Sequence, residues 1–189
     1  ADTIDGGAGR DEIRYDQDAN YGGTLALNLD MEIVDTNGYA TATDGWGKED
    51  LIRNVEDIRG TGSADFIGGD SAENNFRGRA GDDILAGRGG NDTLQGENGA
   101  DSLDGGSGAD ILVGGSGNDS IIGGSGDDWM RGDLDADIFI FNTGDGNDTI
   151  ADFVVGEDML SLQTGLTITS HTEADVDSAA GLDTILTLS

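Results

Sequence analysis

The chain has no cysteine and no proline among its 189 residues. Without cysteine it can form neither a disulfide framework nor a Cys-based zinc site. Without proline, and with glycines that do not recur at every third residue, a triple helix is excluded. Basic residues are scarce: 9 Lys and Arg face 39 Asp and Glu, for a net charge of −30. Such a surface makes nucleic acid and anionic membranes poor partners. His171 is the only histidine, which rules out a two-His metal site of the H-E-x-x-H kind. No Ser-centred elbow and no phosphate loop with a lysine occurs. No apolar run approaches a membrane span, and no signal-peptide pattern opens the chain. Few aromatics and a high negative charge are also marks of disorder, but the order of the residues argues otherwise.

That order is a nine-residue period. Units begin at Gly60, Gly69, Gly78, Gly87, Gly96, Gly105, Gly114, Gly123 and Gly132. Position six is Asp in all but one: Asp65, Asp83, Asp92, Asp101, Asp110, Asp119, Asp128 and Asp137, with Asn74 the exception. Position eight is always apolar: Ile67, Phe76, Leu85, Leu94, Leu103, Leu112, Ile121, Met130 and Phe139. Nine units in register with no insertion are not chance.

The last three residues of each unit, x-apolar-x, suit a short strand with one side chain pointing inward. The first six, rich in glycine, read as a turn. One inward side chain cannot make a core alone. Two units per coil, with one strand on each side, stack into two parallel sheets that bury a narrow apolar strip. Successive coils then lie about 4.8 Å apart. Asp65, Asp83, Asp101, Asp119 and Asp137 form one column of carboxylates, and Asn74, Asp92, Asp110 and Asp128 the other. Charges at that spacing repel by roughly 3–4 kcal/mol at an effective dielectric of 20. A hard divalent cation between the turns relieves this. Calcium, which takes six to eight oxygens from carboxylates and carbonyls, fits better than magnesium, which demands a tight octahedron.

"GGSGADILV", "GGSGNDSII" and "GGSGDDWMR" resemble the nonapeptide G-G-x-G-x-D-x-U-x of the RTX (hemolysin-type) calcium-binding repeat family, a pattern known for binding calcium in a β-helix. The resemblance is closest over 78–131, good over 60–140, and returns in "DGGAGRDEI" at 5–13. It implies an all-β, right-handed parallel β-roll with several calcium ions, about six to nine, bridging successive turns. The implied metal ligands are the carboxylates of Asp11, Asp65, Asp83, Asp92, Asp101, Asp110, Asp119, Asp128, Asp137 and Asp148. The turns at Gly78, Gly81, Gly87, Gly90, Gly96, Gly99, Gly105, Gly108, Gly114, Gly117, Gly123 and Gly126 add carbonyl ligands. It also implies type I secretion from a bacterium and folding outside the cell. Three departures matter. The units at Gly60 and Gly69 lack the fourth-position glycine and Asn74 is neutral, so calcium is expected to be weak or missing there. Asp133 and Asp135 replace glycines in the unit at Gly132, so that turn is expected to differ.

The flanks divide the chain into a repeat remnant (1–14), a β-rich insertion or N-terminal cap (15–59), the roll (60–149) and a C-terminal β cap (150–189). Leu25, Leu27, Leu29, Met31 and Ile33 alternate with polar residues as a half-buried strand. "DTNG" at 35–38 is a hairpin turn and "YATAT" the return strand. Trp46 is expected to pack rather than bind. Ile138–Phe141 is apolar on both faces, so 150–189 is expected to cover the outer one. "GDGND" at 144–148 brings Asp148 to the end of the second column. Both termini look cut within repeats or strands, as in a piece of a longer protein.

No catalytic constellation is present, so the chain reads as a non-enzymatic module. Calcium and the rest of the parent polypeptide are its expected partners, with an extracellular polysaccharide or surface ligand a further candidate. Binding such a polysaccharide would call for a basic stripe, for which Arg77, Arg79 and Arg88 are the only local cluster. The expected role is coupled folding in a secreted or surface protein, adhesin or toxin-like. The alternative is a folding or substrate-binding module of a secreted metalloprotease, lipase or alginate epimerase.

Overall fold

The computed structural model describes residues 2–15, 26–34, 36–44, 46–163, 170–174 and 183–187. Among them every regular element is a strand. The nonapeptides form β7 (Phe66–Gly68), β8 (Asn75–Ala80), β9 (Ile84–Gly89), β10 (Thr93–Asn98), β11 (Ser102–Ser107), β12 (Ile111–Ser116), β13 (Ser120–Ser125), β14 (Trp129–Leu134) and β15 (Ile138–Phe141). Odd strands stack in one parallel sheet and even strands in another. The result is a right-handed parallel β-roll in which each residue pairs with the one 18 positions on, as Leu94 does with Leu112.

Two apolar stripes face each other between the sheets. Ile67, Leu85, Leu103, Ile121 and Phe139 are consecutive partners in one. Ile58, Phe76, Leu94, Leu112, Met130 and Ile150 are consecutive partners in the other. All are essentially inaccessible to solvent. A single residue per unit suffices because every coil is covered by the one above and the one below.

The division into strand and turn differs from the sequence expectation. Strands β8–β14 are six residues long. They run through positions seven to nine and on through positions one to three of the next unit, leaving a turn of three residues. The reason is that position one also points inward: in β9 both Leu85 and Gly87 are buried. The glycine there continues the strand alternation without filling the interior.

β1 (Thr3–Asp5) and β2 (Glu12–Arg14) form a first coil. β3 (Asn28–Val34), β4 (Ala40–Thr43) and β5 (Glu49–Arg53) then make an antiparallel meander. Its outer strands join the roll in parallel, β5 to β1 and β3 to β7. The meander therefore widens one sheet to ten strands. On the other side β6 (Asp57–Arg59) links β2 directly to β8. Leu27, Leu29 and Met31 are buried as their alternation implied. Leu25 and the side chain of Ile33 lie outside the described residues. Trp46, by contrast, sits in the turn between β4 and β5 and is 42% exposed, so it does not pack into the core.

At the C-terminal end β17 (Met159–Leu162) pairs in parallel with β15, and Phe153 sets its ring 6.1 Å from that of Phe139. β16 (Thr149–Ile150) pairs with β19 (Asp183–Thr187), which in turn pairs with β18 (Ser170–Ala174). Among the described residues this segment prolongs the edges of both sheets and does not lie over the outer face. Ile138 and Ile140 remain half-buried, and Met159, in register with Ile138, is 53% exposed. Only the backbone of His171 is described, on β18.

Candidate metal centre

The two Asp columns are present as spaced. Each carboxylate sits just before a strand, where Oδ1 accepts the backbone N–H of the position-six residue one coil earlier. In the first column Asp65 donates to Asp83 at 2.7 Å, Asp83 to Asp101 at 2.8 Å, Asp101 to Asp119 at 2.8 Å and Asp119 to Asp137 at 2.9 Å. In the second, Asn74 donates to Asp92 and Asp92 to Asp110, both at 2.7 Å, then Asp110 to Asp128 at 2.9 Å and Asp128 to Asp148 at 3.1 Å. These bonds fix each carboxylate and bury it.

The second oxygen is the telling one. Oδ2 of Asp83, Asp92, Asp101, Asp110, Asp119 and Asp128 is buried with no hydrogen-bond partner. An unpaired buried anionic oxygen carries a desolvation cost of several kcal/mol unless a cation compensates it. Each points to the position-one glycine of its own unit. A Cβ on Gly96 would collide with Asp101 Oδ2 and lie 2.7 Å from the carbonyl oxygen of Gly114, one coil on. Gly87 and Gly105 stand in the same relation to Asp92 and to Asp110. Glycine is required here by close approach, since these residues have ordinary φ. Positions two and four carry the left-handed backbone, for example Gly106 at φ 98° and Gly108 at φ 140°. Asp133 (72°) and Asp135 (78°) keep that same conformation, so the turn at Gly132 does not depart in backbone as expected. It departs in partners: the N–H groups of Gly132 and Asp133 donate to the Asp152 carboxylate.

Burial pushes the column carboxyls well above their ordinary value. Asp83 rises to about 8, Asp92, Asp119 and Asp148 to about 7, and Asp110 and Asp137 to about 6. Asp65, Asp101 and Asp128 are raised for the same cause. Neighbouring carboxylates add to the shift, and the anchoring N–H opposes it. The fold thus concentrates anionic oxygens that are costly to ionise without a counterion.

Two units close on themselves. Thr61 donates its N–H to Asp65 Oδ2 (2.6 Å) and its hydroxyl to Oδ1 (2.7 Å). The N–H of Asp70 donates to Asn74 Oδ1 at 3.2 Å. Both of these units lack the fourth-position glycine, having Ser63 and Ala72 there. Asp158 behaves likewise: its Oδ1 accepts from Asp137 at 3.0 Å and its Oδ2 from Val154 at 2.7 Å.

Several members of the columns were missed in the sequence. Asp50 Oδ1 accepts from Asp2 at 2.7 Å, and Glu56 Oε2 from Asp11 at 3.0 Å. The signal was an acid two residues before a core residue, as in Asp50–Ile52, Glu56–Ile58 and Asp158–Leu160. A second ladder runs at position five. Asp82 accepts from Ala100 and Asn91 from Ala109, each at 2.9 Å, Asn118 from Ala136 at 3.1 Å and Asp127 from Asn147 at 3.0 Å. The alternation of Asx with Ala every second unit would have revealed it. The arginines near 80 do not form one stripe. Arg79 donates to the Thr61 carbonyl, Arg88 grips Asp30, and Arg77 lies in register with Arg59 on the other sheet.

Among the described residues no three acidic, His or Cys side chains converge on one point. The cradles at Gly87, Gly96 and Gly105 instead set one carboxylate oxygen beside the backbone carbonyl oxygen of the position-one glycine one coil on. An all-oxygen set of this kind suits a hard cation with many ligands, which is calcium. The architecture is therefore a parallel β-roll whose turns are oxygen-only cation cradles. A family model for the RTX calcium-binding nonapeptide repeat (4 copies) matches residues 1–21, 56–85, 68–103, 77–112 and 104–139. The chain belongs to this family, and it is a calcium-binding β-roll module. No curated protein matched it.

Proposed function

We propose that this chain is a calcium-triggered folding module of a larger protein that is exported unfolded by a bacterium and folds outside the cell, in an adhesin or toxin-like setting. The observation that carries this reading is the set of six buried, partnerless Oδ2 atoms. With their charges uncompensated, the thin apolar stripes must outweigh both chain entropy and the stacked carboxylates. Calcium in the cradles removes the second of these costs. At low calcium the chain stays unfolded and transportable, and at extracellular calcium it folds. Bound only by the folded state, each ion present at a hundred times its dissociation constant adds about 2.7 kcal/mol.

Circular dichroism of the chain in chelator and then in calcium tests this. The expected result is weak β signal that becomes strong on calcium addition, together with calorimetric uptake of six or more ions. Equal β signal in both conditions overturns it.

A further inference from the structure

Between the meander and the roll lies a cleft of about 430 Å³, apart from the carboxylate cradles. We propose that it binds the uncharged end of an extracellular glycan, a mono- or disaccharide held through its hydroxyls. This goes beyond the folding-module reading, because it gives the folded chain a ligand of its own.

The cleft follows from a mismatch in strand length. β3 and β7 pair only as far as Asp30↔Gly68. β3 then runs on to Val34 without a partner from β7. The space beside it is bounded by Asp70 and Ser71 of the next turn and by Gly89 and Ser107 at the ends of β9 and β11. That turn is one of the two that close on themselves, through Asp70 and Asn74.

The walls combine three chemistries. Met31 and the half-exposed Val34 give an apolar side. Arg88 gives donors. It is fixed by Asp30 at 2.5 and 2.7 Å and by the Gly69 carbonyl at 2.8 Å, which takes three of its five N–H groups and leaves two. Glu32 and Asp70 give acceptors. The Glu32 carboxylate lies 3.4 Å from the guanidinium, and Asp70 Oδ1 is held by the Ala72 N–H at 2.7 Å. Ser107 Oγ donates to the Arg88 carbonyl at 3.3 Å and keeps its lone pairs. Ser71 adds a second hydroxyl.

This lining selects against charge of either sign. An anion meets Glu32, Asp70 and a chain of net charge −30. A cation meets Arg88 and leaves its donors unused. A wholly apolar ligand strips water from the carboxylates and serines without replacing it. A sugar ring serves every group. Its hydroxyls donate to the carboxylates and accept from the guanidinium and serines, and its C–H face lies on Val34 and Met31. The volume falls within the range of small-ligand sites.

Gly89 is the place to block it. A Cβ there would lie 3.3 Å from Ser107 Oγ and 3.7 Å from Ser71 Cα, so a larger side chain fills the cleft. Position three of a unit accepts leucine, as Leu134 does in the unit at Gly132.

Amide NMR shifts of the full chain in calcium test the site. The probes are the methyl glycosides of glucose, mannose and galactose, with glucuronic acid and glucosamine as charged counterparts. At least one neutral glycoside is expected to shift Ser71, Arg88, Gly89 and Ser107 saturably, and more tightly than either charged sugar. Gly89→Leu should abolish those shifts. Ser71→Ala should weaken binding about three- to tenfold, the loss of one hydrogen bond. Ser116→Leu, at position three on the other sheet, should leave binding intact. If Gly89→Leu fails to fold, Ser71→Ala decides. The site is overturned if none of the neutral glycosides moves these amides, if a charged sugar binds best, if Gly89→Leu binds like the wild type, or if Ser116→Leu abolishes binding equally. A chain that folds and binds the glycoside in chelator keeps this site and overturns the folding-module reading alone.

Discussion

The N–H of Asp101 donates to Oδ1 of Asp119 at 2.8 Å, while Oδ2 of the same Asp119 carboxylate is buried without a partner. One side chain thus holds two roles on two atoms. Oδ1 fixes the stacking of coils, and Oδ2 is presented to the turn. The first role is built from protein alone, and the second calls for a cation to offset a buried charge.

The two roles are separable by substitution. Asparagine at 119 keeps an oxygen for Asp101 but places an amide where Oδ2 was. Alanine removes both. Asp119→Asn is expected to bind fewer calcium ions and need more calcium to fold, yet reach full β signal at saturation. Asp119→Ala also leaves the buried Asp101 N–H unpaired, a further cost of about 1–3 kcal/mol. Denaturant titration in saturating calcium should rank wild type above Asn above Ala. Equal stability of Asn and Ala would show that Oδ1 anchors nothing.

Protons are expected to compete with calcium and, in its absence, to replace it in part. Burial raises Asp83 to about 8, Asp92 and Asp119 to about 7 and Asp110 to about 6 in the fold. Folding therefore favours the protonated forms. Their contribution to the metal-free fold is complete below the ordinary carboxyl value and is lost as pH rises through about 6 to 8. In chelator, β signal should grow on acidification and fade towards pH 8. In calcium the order reverses, and apparent affinity should climb over that same range. Circular dichroism at several pH values with and without chelator reads both trends, and a metal-free signal indifferent to pH contradicts the burial of these groups.

The repeat made the roll legible before any coordinates. A period of nine with one apolar position leaves few alternatives to stacked coils, and Leu85, Leu103 and Ile121 lie in one stripe as their spacing requires. The strand and turn lengths were misjudged because glycine reads as a turn former. Gly87, Gly96 and Gly105 are strand residues whose missing side chain makes room for a carboxylate. Glu56 and Asp50 were hidden because their partners lie 45 and 48 residues away across a non-repeating excursion. Period alone cannot show such pairings. Closure of the Asp65 turn by Thr61 was foreshadowed by the absent fourth-position glycine, though the hydroxyl that satisfies the carboxylate was not.

The thin core makes a different expectation testable. Leu103 is fully buried between Leu85 and Ile121 in its stripe. Leu103→Ala should cost about 2–5 kcal/mol, as for other buried leucines. In a solenoid that loss is local, because each coil contacts only its neighbours. Hydrogen exchange in saturating calcium should show lost protection centred on β9, β11 and β13, with β3–β5 unchanged. Uniform loss along the chain would mean that the ions couple the coils into one cooperative unit.

Arg88 links the meander to the roll, and its removal should free one without harming the other. Its guanidinium donates to both Asp30 oxygens, at 2.5 and 2.7 Å, and to the Gly69 carbonyl at 2.8 Å. Asp30 and its hydrogen bonds hold the guanidinium above its ordinary pKa, so the cation is firmly kept. Arg88 also occupies position two of its unit at φ 75°, where the units at Gly105, Gly114 and Gly123 place glycine. An arginine there carries about 1–2 kcal/mol of backbone strain. The ion pair, partly exposed at both ends, returns a comparable amount after screening. Arg88→Gly therefore relieves strain in the roll while it releases β3. Denaturation of the roll should move little, whereas β3 and β4 amides should exchange faster. A large drop in roll stability would instead make the Arg88–Asp30 contact part of the roll's own structure, and the meander inseparable from it.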